Sequence, residues 1–188
     1  MRRFGKGVAV IFDVKCSELL PQALRAAGAK PEMWKTGHSL IKARMKQLQA
    51  PLAGEMSGHM FFGGDYYGFD DALFAAARLL EIVSSGPPGI ARLLADLPQT
   101  YTTPELRVPC PDDKKFQLVE QAEKDFAAKQ QVSTIDGVRV TFPDGWGLLR
   151  ASNTQPVVVL RFEAHSPEAL ARYRSEFEGW LAAHGVKV

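Results

Sequence analysis

Cysteine, long apolar runs and excess charge are all scarce in this sequence of 188 residues. Its two cysteines, Cys16 and Cys110, lie far apart and lack metal-ligand spacing, so the pattern predicts reduced thiols and a cytoplasmic protein. No apolar stretch approaches the roughly 18 residues that a membrane-spanning helix needs. Lys plus Arg number 23 against 21 Asp plus Glu, without a basic stripe, which argues against nucleic-acid and membrane partners.

The hydrophobic residues, by contrast, make up 46% of the chain, enough for one large core or two smaller ones. Residues 8–14 form an apolar, β-branched run that predicts a buried strand, after which Ser17 is placed to cap a helix that Gly28 ends. A short strand at residues 32–34, a helix from Ser39 and Leu52, which leads into a glycine-rich loop, continue the alternation. The first region is therefore predicted to be an α/β domain.

Four prolines between residues 98 and 113 are typical of a domain junction, so we predict one domain at residues 1–99 and another at residues 100–188. In the second, the pattern predicts a helix near residues 114–128, a hairpin turning at residues 143–145 and a strand at residues 157–163. Ser166 and Pro167 suit the N-cap and first position of a final helix. This order predicts a small α+β domain.

The segment at residues 54–59, GEMSGH, places a carboxylate, a hydroxyl and an imidazole between two glycines. Glycine lets the backbone approach a ligand closely, while Glu55, Ser57 and His59 are able to converge on it. Vicinal sugar hydroxyls donate to carboxylates and accept from Ser or His, so the segment suits a polyhydroxyl ligand. Taken alone, such spacing favours a polar turn between two elements over a ligand site.

A second polar segment, RASNTQP at residues 150–156, follows a predicted strand end. Arg150 can engage two phosphate oxygens in a fork, and Ser152, Asn153 and Thr154 offer further hydrogen bonds. Pro156 stiffens the exit of the loop, which reduces the entropy lost on binding. A solvated arginine beside an ordinary turn is the alternative interpretation of the same residues.

Lys15 and His38 lie just beyond predicted strands, where α/β sheets place their ligands. Both are able to reach an anion, although a solvated lysine and a capping or surface histidine are the commoner fates of such residues. Asp70 and Asp71 precede a predicted helix and are interpreted as N-terminal caps. As a metal pair they lack a third ligand at plausible spacing, so the sequence assigns no metal ligand.

Taken together, five segments in this order resemble the α-D-phosphohexomutase family: residues 12–16 (FDVKC), 34–42 (WKTGHSLIK), 54–59 (GEMSGH), 68–71 (GFDD) and 150–156 (RASNTQP). The resemblance extends from about residue 8 to about residue 181. Met56 and Asn153 resemble the bacterial phosphomannomutase/phosphoglucomutase branch rather than the phosphoglucosamine branch. Several segments in register are far more specific than any one of them.

The resemblance implies the C-terminal half of such an enzyme: domain three, with a mixed sheet and without its first helix, then a fourth domain resembling the TATA-box-binding protein. Family members interconvert hexose 1-phosphates and 6-phosphates through a phosphoserine, assisted by Mg²⁺. The phosphoserine and magnesium loops belong to the first two domains. No TASHNP-like or DGDGDR-like segment occurs in this sequence, so the chain is expected to need those N-terminal domains as partners for catalysis.

By resemblance, Glu55 and Ser57 hold sugar hydroxyls, and Lys15 and His38 complete the pocket. The non-reacting phosphate is held by the polar segment that follows the strand end: Arg150, Ser152, Asn153 and Thr154. His59 is a candidate general acid or base, because an imidazole titrates near neutral pH. The alternative hypothesis is a stand-alone, non-catalytic phosphosugar-binding protein.

Overall fold

The computed structural model describes residues 4–86 and 89–188. Two compact units make up the fold, one of residues 1–98 and one of residues 99–188. The first is α/β with a mixed sheet, and the second has an antiparallel sheet with helices, so the predicted fold class is confirmed. No helix in the described part of the chain is long and apolar enough to cross a membrane.

The first unit is built on a four-stranded sheet in the order β2-β1-β3-β4. Strands β1, β2 and β3 are parallel, and β4 runs antiparallel to β3. Its elements are β1 (Ala9–Asp13), α1 (Leu19–Ala26), β2 (Lys30–Trp34), α2 (His38–Leu48), β3 (Leu52–Gly54) and β4 (Met60–Phe62). Because β1, β2 and β3 are parallel, they end at the same edge of the sheet, and the helices between them return the chain to the opposite edge.

The core of this unit lies between β1, β3, β4 and α2. Ile11, Ile41 and Phe61 are completely buried there, as the apolar run of β1 and the helical spacing of α2 predict. Ser17 is not the cap of the first helix as predicted, because the helix begins at Leu19 with Glu18 at its N-cap; the Leu19 amide donates to Ser17 Oγ at 3.1 Å. Ser17 thus supports the turn that precedes the helix.

A third helix, α3 (Ala72–Ser85), and a 3₁₀ helix at Ile90–Leu94 complete the described part of the first unit. Asp71 caps α3 as predicted, since its side chain accepts a hydrogen bond from the Phe74 amide at 3.0 Å. No residue of α3 is buried, and Leu73 and Leu80 are largely exposed. This helix therefore contributes little to the core of the unit.

The second unit contains a six-stranded antiparallel sheet in the order β5-β10-β9-β8-β7, with β6 also paired to β10. Its elements are β5 (Tyr101–Thr102), β6 (Leu106–Pro109), α4 (Asp112–Ala127), β7 (Gln131–Ser133), β8 (Val138–Phe142), β9 (Gly145–Ala151), β10 (Val157–Ala164) and α5 (Pro167–Ala183). The predicted hairpin is β8-β9. Strands of two or three residues, β4, β5 and β7, were not predicted because they are too short to show a period.

Helices α4 and α5 pack together on the sheet of the second unit. Phe126 of α4 stacks on Phe177 of α5, with ring centroids 4.5 Å apart. Gly147 lets α5 approach β9 closely, since a Cβ there would lie 2.9 Å from ring atoms of Phe162 and Phe177. The predicted N-cap of α5 is confirmed, because Ser166 Oγ accepts from the Ala169 amide at 3.1 Å.

Candidate functional site

The carboxyl edge of the first sheet gathers the polar residues predicted in that unit. Strand β1 ends at Asp13, β2 at Trp34 and β3 at Gly54, and each is followed by a loop at that edge. Ligand sites of α/β sheets form beyond the carboxyl ends of their strands. The structure brings five predicted residues to this place: Lys15, His38, Glu55, Ser57 and His59.

Asp13 holds the three loops together. Its carboxylate is completely buried and accepts from Thr36 Oγ1 and from the Met56 amide, both at 3.1 Å. Cys16 Sγ also donates to it at 3.1 Å, and Lys15 Nζ lies 3.7 Å from Oδ2. The sequence analysis assigned Asp13 no role. The available signal was a carboxylate at the end of a buried strand, where burial demands several partners.

Lys15 is buried as well, with a side chain only 9% exposed. Its ion pair with Asp13 places the ammonium beneath the carboxyl edge rather than in bulk solvent. The solvated lysine considered from the sequence is therefore not what the structure contains. The buried ammonium thus offsets the negative charge of the buried Asp13 carboxylate.

Glu55 is oriented from both sides at the start of the loop between β3 and β4. Its Oε1 accepts from the Gly37 amide at 3.2 Å, and its Oε2 accepts from Ser57 Oγ at 3.3 Å. Gly37 has φ of 131°, a conformation that side chains rarely adopt, and this presents its amide to Glu55. The carboxylate is buried while Ser57 is exposed, so the pair forms a rigid acceptor with a hydroxyl at its rim.

His38 and His59 meet beside Asp70. His59 Nδ1 lies 2.6 Å from Asp70 Oδ2 and His38 Nδ1 lies 3.7 Å from the same oxygen. The imidazole centroids are 4.3 Å apart with the rings edge to face. The N-cap of α3 is Asp71 alone, and Asp70, which was predicted to cap with it, lies beside the two histidines instead. Its partners come from α2 and from the loop before β4, which sequence spacing does not reveal.

Asp71, next in the chain, keeps the capping role. The Phe74 amide and the Tyr66 hydroxyl, the latter 2.7 Å away, both donate to it and lower the pKa of the carboxyl. The bond to Asp71 also raises the pKa of Tyr66. Asp71 thus remains an ionised cap, and of the two adjacent aspartates only Asp70 faces the histidines.

In the second unit, Arg150 lies at the end of β9 and is buried. Its Nε donates to Asp136 Oδ2 at 2.9 Å and its Nη2 lies 3.4 Å from Asp136 Oδ1, so the two groups pair in a fork. Gly137 makes this approach possible: φ is +76°, and a Cβ would lie 2.3 Å from the Leu149 carbonyl oxygen. Asp136 was not recognised from the sequence, because fourteen positions separate it from Arg150.

The other predicted residues of this unit form a tight turn between β9 and β10. Ser152 Oγ accepts from the Thr154 and Gln155 amides at 3.3 and 3.2 Å, so the Ser152 hydroxyl shapes the turn. Asn153 and Thr154 are exposed at its tip. Below it, the buried Lys115 of α4 donates to the Gln155 carbonyl oxygen at 2.9 Å. Lys115 is the second residue of this unit that sequence reasoning missed, since nothing local distinguishes it from a surface lysine.

Comparisons with known protein families match both units. The family profile described as phosphoglucomutase/phosphomannomutase, alpha/beta/alpha domain III, matches residues 2–101. The profile described as phosphoglucomutase/phosphomannomutase, C-terminal domain, matches residues 105–179. These are successive domains of one family, in the order that the five sequence segments imply.

Individual relatives agree with the profiles. The chain is 47% identical to the phosphomannomutase/phosphoglucomutase of Pseudomonas aeruginosa over 178 residues, which is 94% of this chain and 38% of that protein. It is 47% identical to a phosphoglucomutase of Neisseria gonorrhoeae, covering 95% of this chain and 39% of that one.

A solved structure of a phosphoglucomutase/phosphomannomutase family protein from Burkholderia thailandensis superposes with a TM-score of 0.82 at 48% identity, covering 95% of this chain and 38% of that one. The chain thus spans less than two fifths of the length of these relatives. With both of its units matched by profiles of one family and nearly half of its residues identical to those relatives, the chain belongs to the phosphoglucomutase/phosphomannomutase family.

Proposed function

We propose that this chain is the substrate-holding C-terminal portion of a cytoplasmic phosphomannomutase/phosphoglucomutase that interconverts hexose 1-phosphate and 6-phosphate. The carboxyl edge of the first unit binds the sugar hydroxyls, and the turn after β9 binds the phosphate that does not react. One observation carries the proposal: Glu55 is buried, doubly hydrogen-bonded and placed at the ligand-binding edge of an α/β sheet.

The sugar-binding part rests on the rigidity of Glu55. A carboxylate already oriented by an amide and a hydroxyl loses little entropy when it accepts sugar hydroxyls. Hydrogen bonds to a charged group contribute about 1.5–3 kcal/mol each. Ser57 adds a hydroxyl at the rim, and Lys15 supplies positive charge beneath the same edge. Each group therefore has a separate part in recognising a polyhydroxyl ring.

His59 is the proposed general acid or base, and Asp70 is its positioning residue. A proton on His59 Nδ1, shared with Asp70 at 2.6 Å, leaves Nε2 as the nitrogen that exchanges a proton with a sugar hydroxyl. This tautomer is the one that a neighbouring carboxylate stabilises. His38 lies beside the pair and completes the polar wall of the pocket.

Arg150 is the proposed centre of the phosphate site. Asp136 engages its Nε and Nη2, which fixes the plane of the guanidinium and leaves Nη1 outside that fork. A phosphate competes for the same donors or binds at the remaining edge. Asn153 and Thr154, exposed at the tip of the turn, and the backbone amides held by Ser152 supply the other hydrogen bonds.

Phosphoryl transfer in this family needs a phosphoserine and Mg²⁺, and we propose that polypeptide outside this sequence supplies both. When bound, Mg²⁺ neutralises charge on the phosphoryl oxygens. It prefers oxygen ligands in octahedral geometry. Among the described residues, the three that converge as potential metal ligands include two imidazoles, so they do not fit this ion. We therefore propose that the chain alone binds hexose phosphates without isomerising them.

A Glu55→Gln variant tests the sugar site. We expect calorimetric titration to show about 10- to 100-fold weaker binding of mannose 1-phosphate and glucose 6-phosphate, because a neutral amide replaces the charged acceptor. Binding of inorganic phosphate should be unchanged. Glu81→Gln, at an exposed glutamate of α3, serves as the matched control. Equal losses for sugar phosphates and inorganic phosphate would show that Glu55 does not read hydroxyl groups.

A second candidate function is phosphosugar binding without catalysis. It is favoured by the way each loop is held by bonds inside its own unit, through Asp13 in the first and through Ser152 and Lys115 in the second.

Adding the N-terminal part of the Pseudomonas aeruginosa relative in trans separates the two functions. Restored interconversion of hexose phosphates supports the mutase portion. Tight binding of hexose phosphates without any restored turnover supports the binding protein instead.

A further inference from the structure

The strongest feature not used in full by the proposed function is the cluster of His38, His59 and Asp70. One ligand atom from each residue lies within 4.8 Å of the other two. The separations from Asp70 Oδ2 are 2.6 Å to His59 Nδ1 and 3.7 Å to His38 Nδ1. Two imidazole nitrogens and a carboxylate oxygen therefore converge on a volume small enough for one ion.

Three different structural elements hold the cluster in place. His38 is the first residue of α2, and its ring packs edge to face on Phe61 with centroids 5.6 Å apart. His59 directly precedes β4, and Asp70 forms an isolated antiparallel bridge with Phe61. Since Phe61 is completely buried, all three ligands are anchored around one fixed core residue. Such preorganisation lowers the cost of bringing ligands to a metal.

The ligand types select the class of ion. Neutral imidazoles with one carboxylate suit Zn²⁺ and its transition-metal neighbours, whereas Mg²⁺ and Ca²⁺ favour oxygen ligands alone. Zinc bonds of about 2.0–2.2 Å place tetrahedral ligand atoms about 3.4 Å apart. The His38–Asp70 separation of 3.7 Å is close to this value, and the His59–Asp70 contact of 2.6 Å needs to widen by about 0.8 Å.

The cluster is open to solvent, so a water molecule can occupy the remaining coordination position of a bound ion. The side chains of His38, His59 and Asp70 are 45%, 41% and 26% exposed. Three protein ligands with an open fourth position are the arrangement of an accessible zinc site rather than of a closed structural one.

We propose that His38, His59 and Asp70 form a binding site for one divalent transition-metal ion of the Zn²⁺ class. The ion replaces the proton that His59 and Asp70 share. It is distinct in ligand set from the Mg²⁺ that phosphoryl transfer needs.

In the proposed function, His38 and His59 also face the sugar. The ion and a hexose phosphate therefore exclude each other at this edge, a consequence that rests on the proposed function. Zinc is therefore an inhibitor of substrate binding rather than a cofactor. The two ideas remain separable, because zinc binding is measured without sugar and sugar binding is measured in the presence of a chelator.

Calorimetric titration of Zn²⁺ into the full chain without sugar phosphate tests the site. We expect one ion per chain, and no saturable binding of Mg²⁺ to these residues. His38→Asn, His59→Asn and Asp70→Asn should each weaken the zinc affinity by about tenfold or more, as loss of a ligand does. His165→Asn, at an exposed histidine outside the cluster, is the matched control and should bind Zn²⁺ unchanged.

Co²⁺ gives a second readout that does not depend on the stability of any variant. In the unaltered chain we expect visible absorption bands of a four-coordinate Co²⁺ ion, lost on addition of equimolar Zn²⁺. The proposal is overturned if the unaltered chain binds no Zn²⁺, or if the three cluster variants bind it as tightly as the His165 control. Failure of sugar phosphates to compete, with zinc binding intact, would overturn the mutual exclusion of zinc and sugar and leave the metal site standing.

Discussion

Replacing Asp13 by asparagine is expected to destabilise the first unit by about 3 kcal/mol, the cost of breaking a buried charge pair from one side. The carboxylate is completely buried and faces donors at both oxygens, Met56 N and Cys16 Sγ at Oδ1, Thr36 Oγ1 and Lys15 Nζ at Oδ2. An asparagine presents an NH₂ group at one of these positions. This NH₂ group then faces other hydrogen-bond donors, and the buried Lys15 loses the charge of its Asp13 partner.

Urea unfolding followed together with hydrogen exchange of the β1 amides measures this effect. Asp96→Asn, at an exposed position of the same unit, is the control and should leave the unfolding midpoint unchanged. Thr36→Val removes only one donor and should cost about 1 kcal/mol, which gives a graded series. If Asp13→Asn unfolds at the same urea concentration as the unaltered chain, Asp13 does not hold the three loops together.

Replacing Arg150 by alanine is expected to weaken binding of mannose 1-phosphate, mannose 6-phosphate and inorganic phosphate alike. The expected loss is about 2–4 kcal/mol, or about 30- to 1,000-fold in affinity, because a charged donor to the phosphate disappears. All three ligands should lose equally, since the proposed contact is with phosphate and not with the sugar ring. Titration calorimetry on the full chain measures the three affinities.

The fork between Arg150 and Asp136 requires a companion variant, because Arg150→Ala also leaves the Asp136 carboxylate without this partner. Asp136→Asn removes the charge of that partner while keeping Arg150. We expect it to lower stability but to preserve or strengthen phosphate binding, as Arg150 is released from a competing anion. Arg174→Ala, at a partly exposed arginine of α5, controls for net charge. Phosphate affinity unchanged in Arg150→Ala would remove Arg150 from the phosphate site.

Local sequence patterns predicted most of the elements because the relevant physics is local. An apolar run marks β1, helical spacing marks α2 and α5, and the N-cap residues Asp71 and Ser166 act on amides three positions away. The family, too, followed from short segments in a characteristic order. The very short strands were missed because they consist of two or three residues whose pairing depends on a neighbouring strand.

Local sequence patterns did not identify the residues that orient the candidate sites. Asp70 was interpreted as a cap from its position before α3, yet it contacts His38 and His59, 32 and 11 positions earlier in the chain. Nothing in the local sequence distinguishes Asp136 and Lys115 from ordinary surface residues. Only the folded second unit places them against Arg150 and Gln155. Their roles depend on strand order and register.

The sequence by itself therefore determined the type and order of most secondary-structure elements and the family, and it supplied the side chains of the proposed sites. The tertiary structure alone decided that Asp13 joins three loops, that Asp70 lies beside His38 and His59, and that Asp136 orients Arg150. The physical reason is distance along the chain. A cap or a helical face is fixed within a few residues, whereas a buried carboxylate finds its partners only when separate strands are brought side by side.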